Sequence, residues 1–186
     1  MFKNKKILFI GAHQDDLEIA CGGTILNYQK YSEIHYLIVT DSIIKNKKVV
    51  RNKRSVKKNF TEIKKKLDIK SFTNLNFKCN KLIFNDDLVV NILRVIEKIE
   101  PDIIFTHWPN DIHQDHSAVG KSSISAGRHV KNILFYRSNF YQPTTPFNKN
   151  LFINISKNFQ KKINIIKIYK DELKRHSYKW LRQIEN

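Results

Sequence analysis

Four ionisable side chains stand close together near the start of the 186-residue chain. His13, Asp15, Asp16 and Glu18 follow a short apolar run at 7–10 almost at once. Imidazole and carboxylate groups at such spacing can bind a divalent metal or transfer protons. If the turn after the run is tight, His13 and Asp16 reach one metal ion and Asp15 lies beside it. Taken alone, the stretch is as compatible with a solvated acidic turn.

A second stretch of the same kind follows another apolar run, Ile103-Ile104-Phe105. It reads Thr-His-Trp-Pro-Asn-Asp-Ile-His-Gln-Asp-His over residues 106–116. Two separate apolar runs therefore end in histidines and aspartates. This repetition favours one shared metal site over two unrelated acidic turns.

The elements that must position these residues are predicted to alternate along the chain. Apolar runs without polar alternation are typical of strands buried on both faces of a parallel sheet, whose carboxyl ends carry ligands. Further strands are predicted at 34–40, 72–77, 132–137 and 152–155, and helices at 24–28, 49–67, 89–99, 117–129 and from 156 onward, with Asp86-Asp87 as a helix cap. The pattern predicts one α/β domain over 1–186, a Rossmann-like three-layer sandwich with a mostly parallel sheet.

The two stretches resemble the motifs of the PIG-L/LmbE-like zinc-dependent N-acetylglucosamine deacetylases. The first motif, Ala-His-Pro-Asp-Asp followed by Glu and Gly-Gly, is matched by Ala12, His13, Asp15, Asp16, Glu18, Gly22 and Gly23. The second, Pro-x-Asp-x-His-x-Asp-His, is matched by Pro109, Asp111, His113, Asp115 and His116. Gln14 and Gln114 stand where proline is usual, and weaker similarity continues through 147–156.

The resemblance implies a set of site residues. One Zn²⁺ per chain, or another divalent metal, would be held by His13, Asp16 and His116. Asp15 would accept a proton from the attacking water, and His113 would stabilise the oxyanion and protonate the leaving amine. Asp115 would orient His113 through a hydrogen bond. Substrate contacts would come from Glu18, which could equally cap a helix, and from Arg51 or Arg54.

The activity implied by the resemblance is hydrolysis of the acetamide of a 2-acetamido sugar conjugate to amine and acetate. Two alternatives stay open at this point: a metal-dependent phosphoesterase and a catalytically weak sugar-binding protein. The substrate expected is a small sugar conjugate, with a phosphate-bearing one as an option, and its aglycone is undetermined. Because relatives usually run on beyond residues 173–177, a homo-oligomer that completes the pocket is a further option.

Composition and charge argue against several other classes of protein. The net charge of +17 arises from 34 Lys and Arg against 17 Asp and Glu. The basic residues are spread along the chain and no nucleic-acid-binding motif accompanies them, so a nucleic-acid partner is not expected. Cys21 and Cys79 do not indicate a disulfide framework. No apolar stretch has the length of a membrane span, and the expected location is the cytoplasm.

Structural roles are predicted for several other residues. Gly22-Gly23 is predicted to let a helix pack closely on the sheet, with a phosphate cradle as the weaker alternative. His35 is predicted to be structural and Trp108 to pack in the core. Asp111 is expected to brace its loop. His129 and His176 have no predicted partner.

Overall fold

The computed structural model describes residues 1–45, 50–175 and 177–185, so His176 lies outside the described residues. Along the chain the strands are β1 (Lys6–Gly11), β2 (Glu33–Thr40), β3 (Ile44–Lys45), β4 (Val50–Arg51), β5 (Ser71–Phe77), β6 (Ile103–His107) and β7 (Asn132–Tyr136). The helices are α1 (Asp16–Tyr28), α2 (Lys53–Lys66), α3 (Asp86–Ile99), α4 (Gln114–Ala126), α5 (Phe159–Ile166), α6 (Lys170–Arg175) and α7 (Lys179–Glu185), with a 3-10 turn at Ser156–Asn158.

Five strands form one parallel sheet in the order β5-β2-β1-β6-β7, while β3 and β4 form a short antiparallel pair. The predicted three-layer α/β fold with a parallel sheet is therefore confirmed. Among the described residues, no helix combines the length and the apolar character that a membrane span needs.

Strand β1 separates two hydrophobic cores. Ile7 and Phe9 point into the core shared with α1, α2 and α5, whereas Leu8 and Ile10 point into the core shared with α3 and α4. All four side chains are fully buried. Each contributes about 1.5–3 kcal/mol of hydrophobic free energy, so β1 is firmly fixed and its carboxyl end is a stable platform.

The prediction of a strand at 152–155 is wrong. This segment has no strand pairing, and Phe152 is 79% exposed. The segment crosses α1 instead of joining the sheet. Asn27 Nδ2 donates a hydrogen bond to the Asn154 carbonyl at 2.9 Å. A Cβ atom at Gly23 would lie only 2.6 Å from Ile155 Cγ2. Gly23 therefore admits this crossing segment, rather than a close approach of the helix to the sheet.

Four helix starts also differ from the prediction. Helix α1 begins at Asp16 rather than at residue 24, and α2 begins at Lys53, after β4, rather than at residue 49. Asn85, rather than Asp86 or Asp87, caps α3, because its side chain accepts a hydrogen bond from the Leu88 amide at 2.9 Å. Helix α4 begins earlier than expected, directly after His113. Its first turn therefore carries Asp115 and His116 to the edge of the sheet.

Candidate active site

The two motifs meet because β1 and β6 are hydrogen-bonded neighbours. Phe9 is in register with Phe105, so both strands end at the same edge of the sheet. The chain then enters α1 from one strand and α4 from the other. The His13 ring centroid lies 5.1 Å from that of His113 and 5.3 Å from that of His116.

Asp16 lies between the imidazoles at the start of α1. Its Oδ1 is 3.3 Å from His116 Nε2, and its Oδ2 is 3.6 Å from His13 Nδ1. Ser138 Oγ donates to Oδ1 at 2.7 Å, and the His13 amide donates to Oδ2 at 2.7 Å. Burial alone would raise the pKa of Asp16, but His116 and His107 lower it well below its usual value. Asp16 is therefore a carboxylate.

The ring of His13 is oriented by Asp115. Its Nε2 is 2.8 Å from Asp115 Oδ2, which leaves Nδ1 facing Asp16. Burial would lower the pKa of His13, but the carboxylates of Asp115 and Asp16 raise it well above its usual value. A carboxylate on the far nitrogen of a histidine is the usual way in which proteins orient a metal-binding imidazole.

The carboxylate of Asp115 does not contact His113 in the predicted way. It is fully buried and accepts hydrogen bonds from the amides of Asn80 at 2.6 Å and Leu82 at 3.1 Å, in addition to its contact with His13. His113 Nδ1 instead accepts from the backbone amide of Asp115 at 3.2 Å. The expectation fails because the start of α4 brings the peptide of Asp115, not its side chain, to the His113 ring.

This backbone contact fixes the tautomer of His113. A neutral imidazole that accepts a hydrogen bond at Nδ1 carries its proton on Nε2. Burial, with the charges of His116 and His13, lowers the pKa of His113 to about 4. His113 is therefore a neutral donor near pH 7 in this arrangement.

The remaining contacts hold His116. Its Nδ1 lies 3.5 Å from Asp111 Oδ2 and 3.2 Å from Asn139 Nδ2. Burial would lower the pKa of His116, but Asp16 and Asp111 raise it to about 9. Asp111 also accepts from the His113 amide at 2.8 Å and from Asn139 at 2.9 Å. It braces its loop, as predicted from the sequence.

Asp15 lies beside the imidazoles and carries backbone strain. Its φ of 109° is in the left-handed region, which non-glycine residues rarely adopt. Its Oδ2 accepts from Arg51 Nη2 at 3.0 Å. Burial raises the pKa of Asp15 to about 7, although the Arg51 guanidinium opposes the rise.

The three residues predicted to contact the substrate, Glu18, Arg51 and Arg54, are not placed as the prediction requires. Glu18 is buried, accepts a hydrogen bond from the Tyr169 hydroxyl at 2.8 Å and does not line the site cavity. Burial raises its pKa to about 7. Arg54 is exposed and lies outside that cavity. Arg51 lines the cavity but is 1% exposed, with its guanidinium held by protein groups. None of the three is placed as a free substrate contact.

The site cavity is small, with a volume of about 80 Å³, and its rim includes Asn80, Tyr141 and Arg175. A larger cavity of about 690 Å³ lies beside β7 and α1. That larger cavity is lined by Cys21, Phe105, Trp108 and Phe147 among others, and by none of the predicted site residues. The clustered ionisable groups identify the small cavity as the chemical site.

The family model described as PIG-L, GlcNAc-PI de-N-acetylase, matches residues 8–126. The chain belongs to the PIG-L family. The match begins within β1, covers both motifs and ends with α4.

Individual proteins extend the similarity of this PIG-L chain beyond residue 126. An uncharacterized deacetylase of Escherichia coli K12, YaiS, is 30% identical over 150 residues, which cover 73% of this chain and 75% of YaiS. The structure of N,N'-diacetylchitobiose deacetylase from Pyrococcus horikoshii superposes with a TM-score of 0.80 at 21% identity, covering 98% of this chain and 78% of that one.

The same fold also carries a different reaction. GalB of Pseudomonas putida KT2440, a 4-carboxy-2-hydroxymuconate hydratase, superposes with a TM-score of 0.70 at 14% identity, covering 96% of this chain and 84% of GalB. At this level of identity the likeness shows the fold alone. The reaction must therefore be argued from the residues of the site.

The PIG-L site provides donors of the kind that zinc and similar divalent ions prefer. Three groups of described side chains bring one ligand atom each within 4.8 Å of one another: His13/His113/His116, His13/Cys79/Asp115 and Asp16/His107/His116. The predicted set of His13, Asp16 and His116 is not one of these groups but shares two members with two of them. The reason is that the two oxygens of Asp16 face different histidines. The donors nevertheless fit a divalent metal.

Several contributors to the PIG-L site were not predicted from the sequence, among them His107, Ser138, Asn139 and Glu172. His107 Nε2 lies 3.0 Å from Asp16 Oδ2, and Ser138 and Asn139 reach Asp16 and His116 from the end of β7. Helix α6 contributes Glu172 to the cavity. A usable signal existed for His107, which stands in the second motif, and for Ser138 and Asn139, which follow a predicted strand. Nothing in the local sequence pointed to Glu172.

Proposed function

We propose that this chain is a metal-dependent hydrolase that removes the acetyl group from an N-acetylated amino-sugar conjugate, giving the free amine and acetate. The observation that carries the proposal is the meeting of two strand-end motifs in one cavity, where buried His and Asp donors lie next to Asp15. Membership of the PIG-L family and the likeness to YaiS support the same activity.

His13, Asp16 and His116 would hold one divalent metal, with zinc as our assignment. When bound, such a metal supplies Lewis-acid activation of water and of the amide carbonyl. Within the described residues, His13 and His116 each belong to two of the three compact groups, and one group contains both. This sharing favours a single metal per chain, and so favours the deacetylase over a phosphoesterase that uses two metals.

Asp15 is the residue proposed to accept the proton of the attacking water. A general base works best when its pKa lies near the operating pH. The pKa of Asp15 is raised to about 7 by burial, so the carboxylate is a stronger base than an exposed aspartate. It is ionised above that pH and available to take a proton.

His113 is proposed to act on the opposite side of the amide. Its Nε2 proton can be donated to the carbonyl oxygen as negative charge develops there. The leaving nitrogen must also receive a proton before it departs as an amine, and His113 is proposed to deliver it after the neutral ring has taken up a proton from solvent. The water supplies a hydroxyl group to the acetyl carbon and one proton to Asp15, which releases it to solvent, so the atoms balance.

The dimensions of the cavity support an acetyl group as the part that enters it. A volume of about 80 Å³ gives room for a few water molecules, and so for a group of the size of an acetyl. The sugar and its aglycone would then remain at the rim, where Tyr141, Asn80 and Arg175 lie. We propose that any preference for a phosphate-bearing aglycone is exercised there. Location in the cytoplasm and a single domain over 1–186 stay predictions.

The test is acetate release from a series of N-acetylglucosamine conjugates by the purified protein with added Zn²⁺. We expect turnover by the wild type. For His113→Gln, which keeps an N–H donor but cannot transfer a proton, we expect a loss of about 10²–10⁴-fold in kcat with the metal retained. Absence of acetate release from every conjugate by the metal-loaded wild type would refute the proposed activity. Unchanged kcat in His113→Gln would refute only the role of His113.

A further inference from the structure

Arg51 is enclosed by groups of the protein itself. Arg51 is the last residue of β4, and its side chain enters the site with only 1% of the residue exposed. Nε donates to Asp171 Oδ2 at 3.0 Å, and Nη1 donates to the Gln14 carbonyl at 3.0 Å. Nη2 donates to Asp15 Oδ2 at 3.0 Å and to Glu172 Oε2 at 3.1 Å.

These bonds leave Arg51 with little capacity to bind a substrate. A guanidinium has five N–H donors, and four of them are used by the bonds just described. A substrate that competed for them would have to displace buried carboxylates from a buried cation, which is costly. The geometry therefore argues for a function inside the protein rather than for direct recognition.

The groups that Arg51 holds belong to the turn between β1 and α1. It bonds to the carbonyl of Gln14 and to the carboxylate of Asp15, on both sides of the peptide that links these residues. Asp15 has a φ of 109°. Strained backbone of this kind persists only where the surrounding structure supports it. Arg51 provides such support from both the backbone and the side chain.

Helix α6 in turn holds Arg51. Asp171 and Glu172 supply two of the three carboxylates around the guanidinium, and Glu172 also bonds to Arg175 at the rim of the cavity. The planar, forked guanidinium suits this arrangement because it can serve several acceptors in one plane, whereas a lysine ammonium is a compact point charge.

We propose that Arg51 is a positioning residue for Asp15, and that α6 is the element that fixes Arg51. This inference rests on the proposed function, because Asp15 is taken as the base of that reaction. It assigns α6 to the catalytic apparatus although the helix supplies no proposed metal ligand and no group that reacts. Its role is carried by Asp171 and Glu172 through Arg51.

The kinetic test compares Asp171→Asn and Arg51→Lys with Arg128→Lys, a change at an exposed residue just beyond the end of α4. Asp171→Asn guards against misfolding, because the Asp171 side chain is 20% exposed and Arg51 keeps its other partners. We expect both site variants to lose kcat by about 10–100-fold, with KM within about twofold of wild type and with metal content unchanged. Arg128→Lys should match the wild type.

If Arg51 instead bound the substrate, the expected changes in KM and kcat would be the opposite. KM would rise in Arg51→Lys while kcat stayed near that of the wild type, and Asp171→Asn would have little effect on kcat. Either result would overturn the proposal, since a positioning residue acts on the reacting groups and not on binding.

A second measurement does not depend on activity. Hydrogen exchange of the amides in α6 should become faster in Arg51→Lys than in wild type, and should stay unchanged in Arg128→Lys. Unchanged exchange in α6 would contradict the proposed link between Arg51 and the helix. If the wild type released no acetate, the proposed function would fail, whereas the exchange result would still decide whether α6 is fixed by Arg51.

Discussion

At the scale of single residues, Gly23 controls whether the segment containing Ile155 can pack on α1. A Cβ at position 23 would lie 2.6–2.8 Å from three atoms of Ile155. We expect Gly23→Ala to lower the free energy of unfolding by about 1–3 kcal/mol, the usual range for an overpacked site. Urea unfolding followed by circular dichroism would measure the change.

The neighbouring glycine is a matched control. A Cβ at Gly22 would meet only the Lys162 side chain, at 3.4 Å, which is ordinary contact. Alanine also favours a helix by up to about 1 kcal/mol over glycine. Gly22→Ala should therefore be neutral or stabilising. Equal destabilisation by the two substitutions would show that helix α1, rather than the contact with Ile155, is sensitive to the change.

Residue types and spacing predicted which side chains enter the site, but not their partners. His13, Asp16, His113 and His116 were found because each follows a recognisable strand end. The contact of Asp115 with His13 could not be predicted, because it depends on how the first turn of α4 is rotated. The sequence also did not predict that Arg51 is enclosed by protein groups, because two of its carboxylate partners lie in α6, about 120 residues further along the chain.

At the scale of elements, β2 carries a histidine that couples stability to pH. Burial lowers the pKa of His35, although Glu33 opposes the effect, and Lys6 and Lys70 reinforce it. His35 Nδ1 is bonded to Ser71 Oγ of β5 at 2.7 Å. Because the unfolded chain takes up the proton first, stability should fall as the pH drops below about 6.5.

Replacing His35 by Gln should remove this part of the pH dependence. The difference in urea midpoint between pH 7.5 and pH 5 should be smaller in His35→Gln than in wild type. The exposed His129→Gln serves as the control and should keep the wild-type difference. If His35→Gln and His129→Gln behaved alike, the pairing of β2 with β5 would not contribute to the acid sensitivity.

Elements with uninterrupted apolar runs were the most predictable. The strands β1, β2 and β6 lie in the middle of the sheet and are buried on both faces. Their uninterrupted apolar sequences predicted this position. The segment 152–155 shares the apolar character but packs across α1, and a short apolar run cannot distinguish these two environments. The short pair formed by β3 and β4 left no comparable pattern.

At the scale of the whole molecule, metal binding should stabilise the fold, since its proposed ligands come from α1, α4 and the turn after β1. A ligand at about 100 times its Kd adds about 2.7 kcal/mol to the free energy of unfolding. We expect Zn²⁺ to raise the thermal midpoint and a chelator to reverse the rise. Differential scanning fluorimetry and elemental analysis would measure the effect and the predicted one metal per chain.

Two variants separate a ligand from the proposed base. His116→Ala should abolish the Zn²⁺-dependent rise in midpoint. Asp15→Asn should keep it, and asparagine is chosen because it tolerates a positive φ better than alanine does. If Asp15→Asn lost metal as completely as His116→Ala, Asp15 would have to be reassigned as a ligand.

The hydrogen bond between Arg51 and Asp171 joins residues that are 120 positions apart. During synthesis on the ribosome, the motifs of β1 and β6 emerge well before the residues that surround the Arg51 guanidinium. With the ligands proposed above, a nascent chain would assemble its histidines around a metal while Asp15 still lacks its full support. Hydrolytic competence would then begin only when α6 has left the exit tunnel, so this protein would acquire its metal before it acquires its activity.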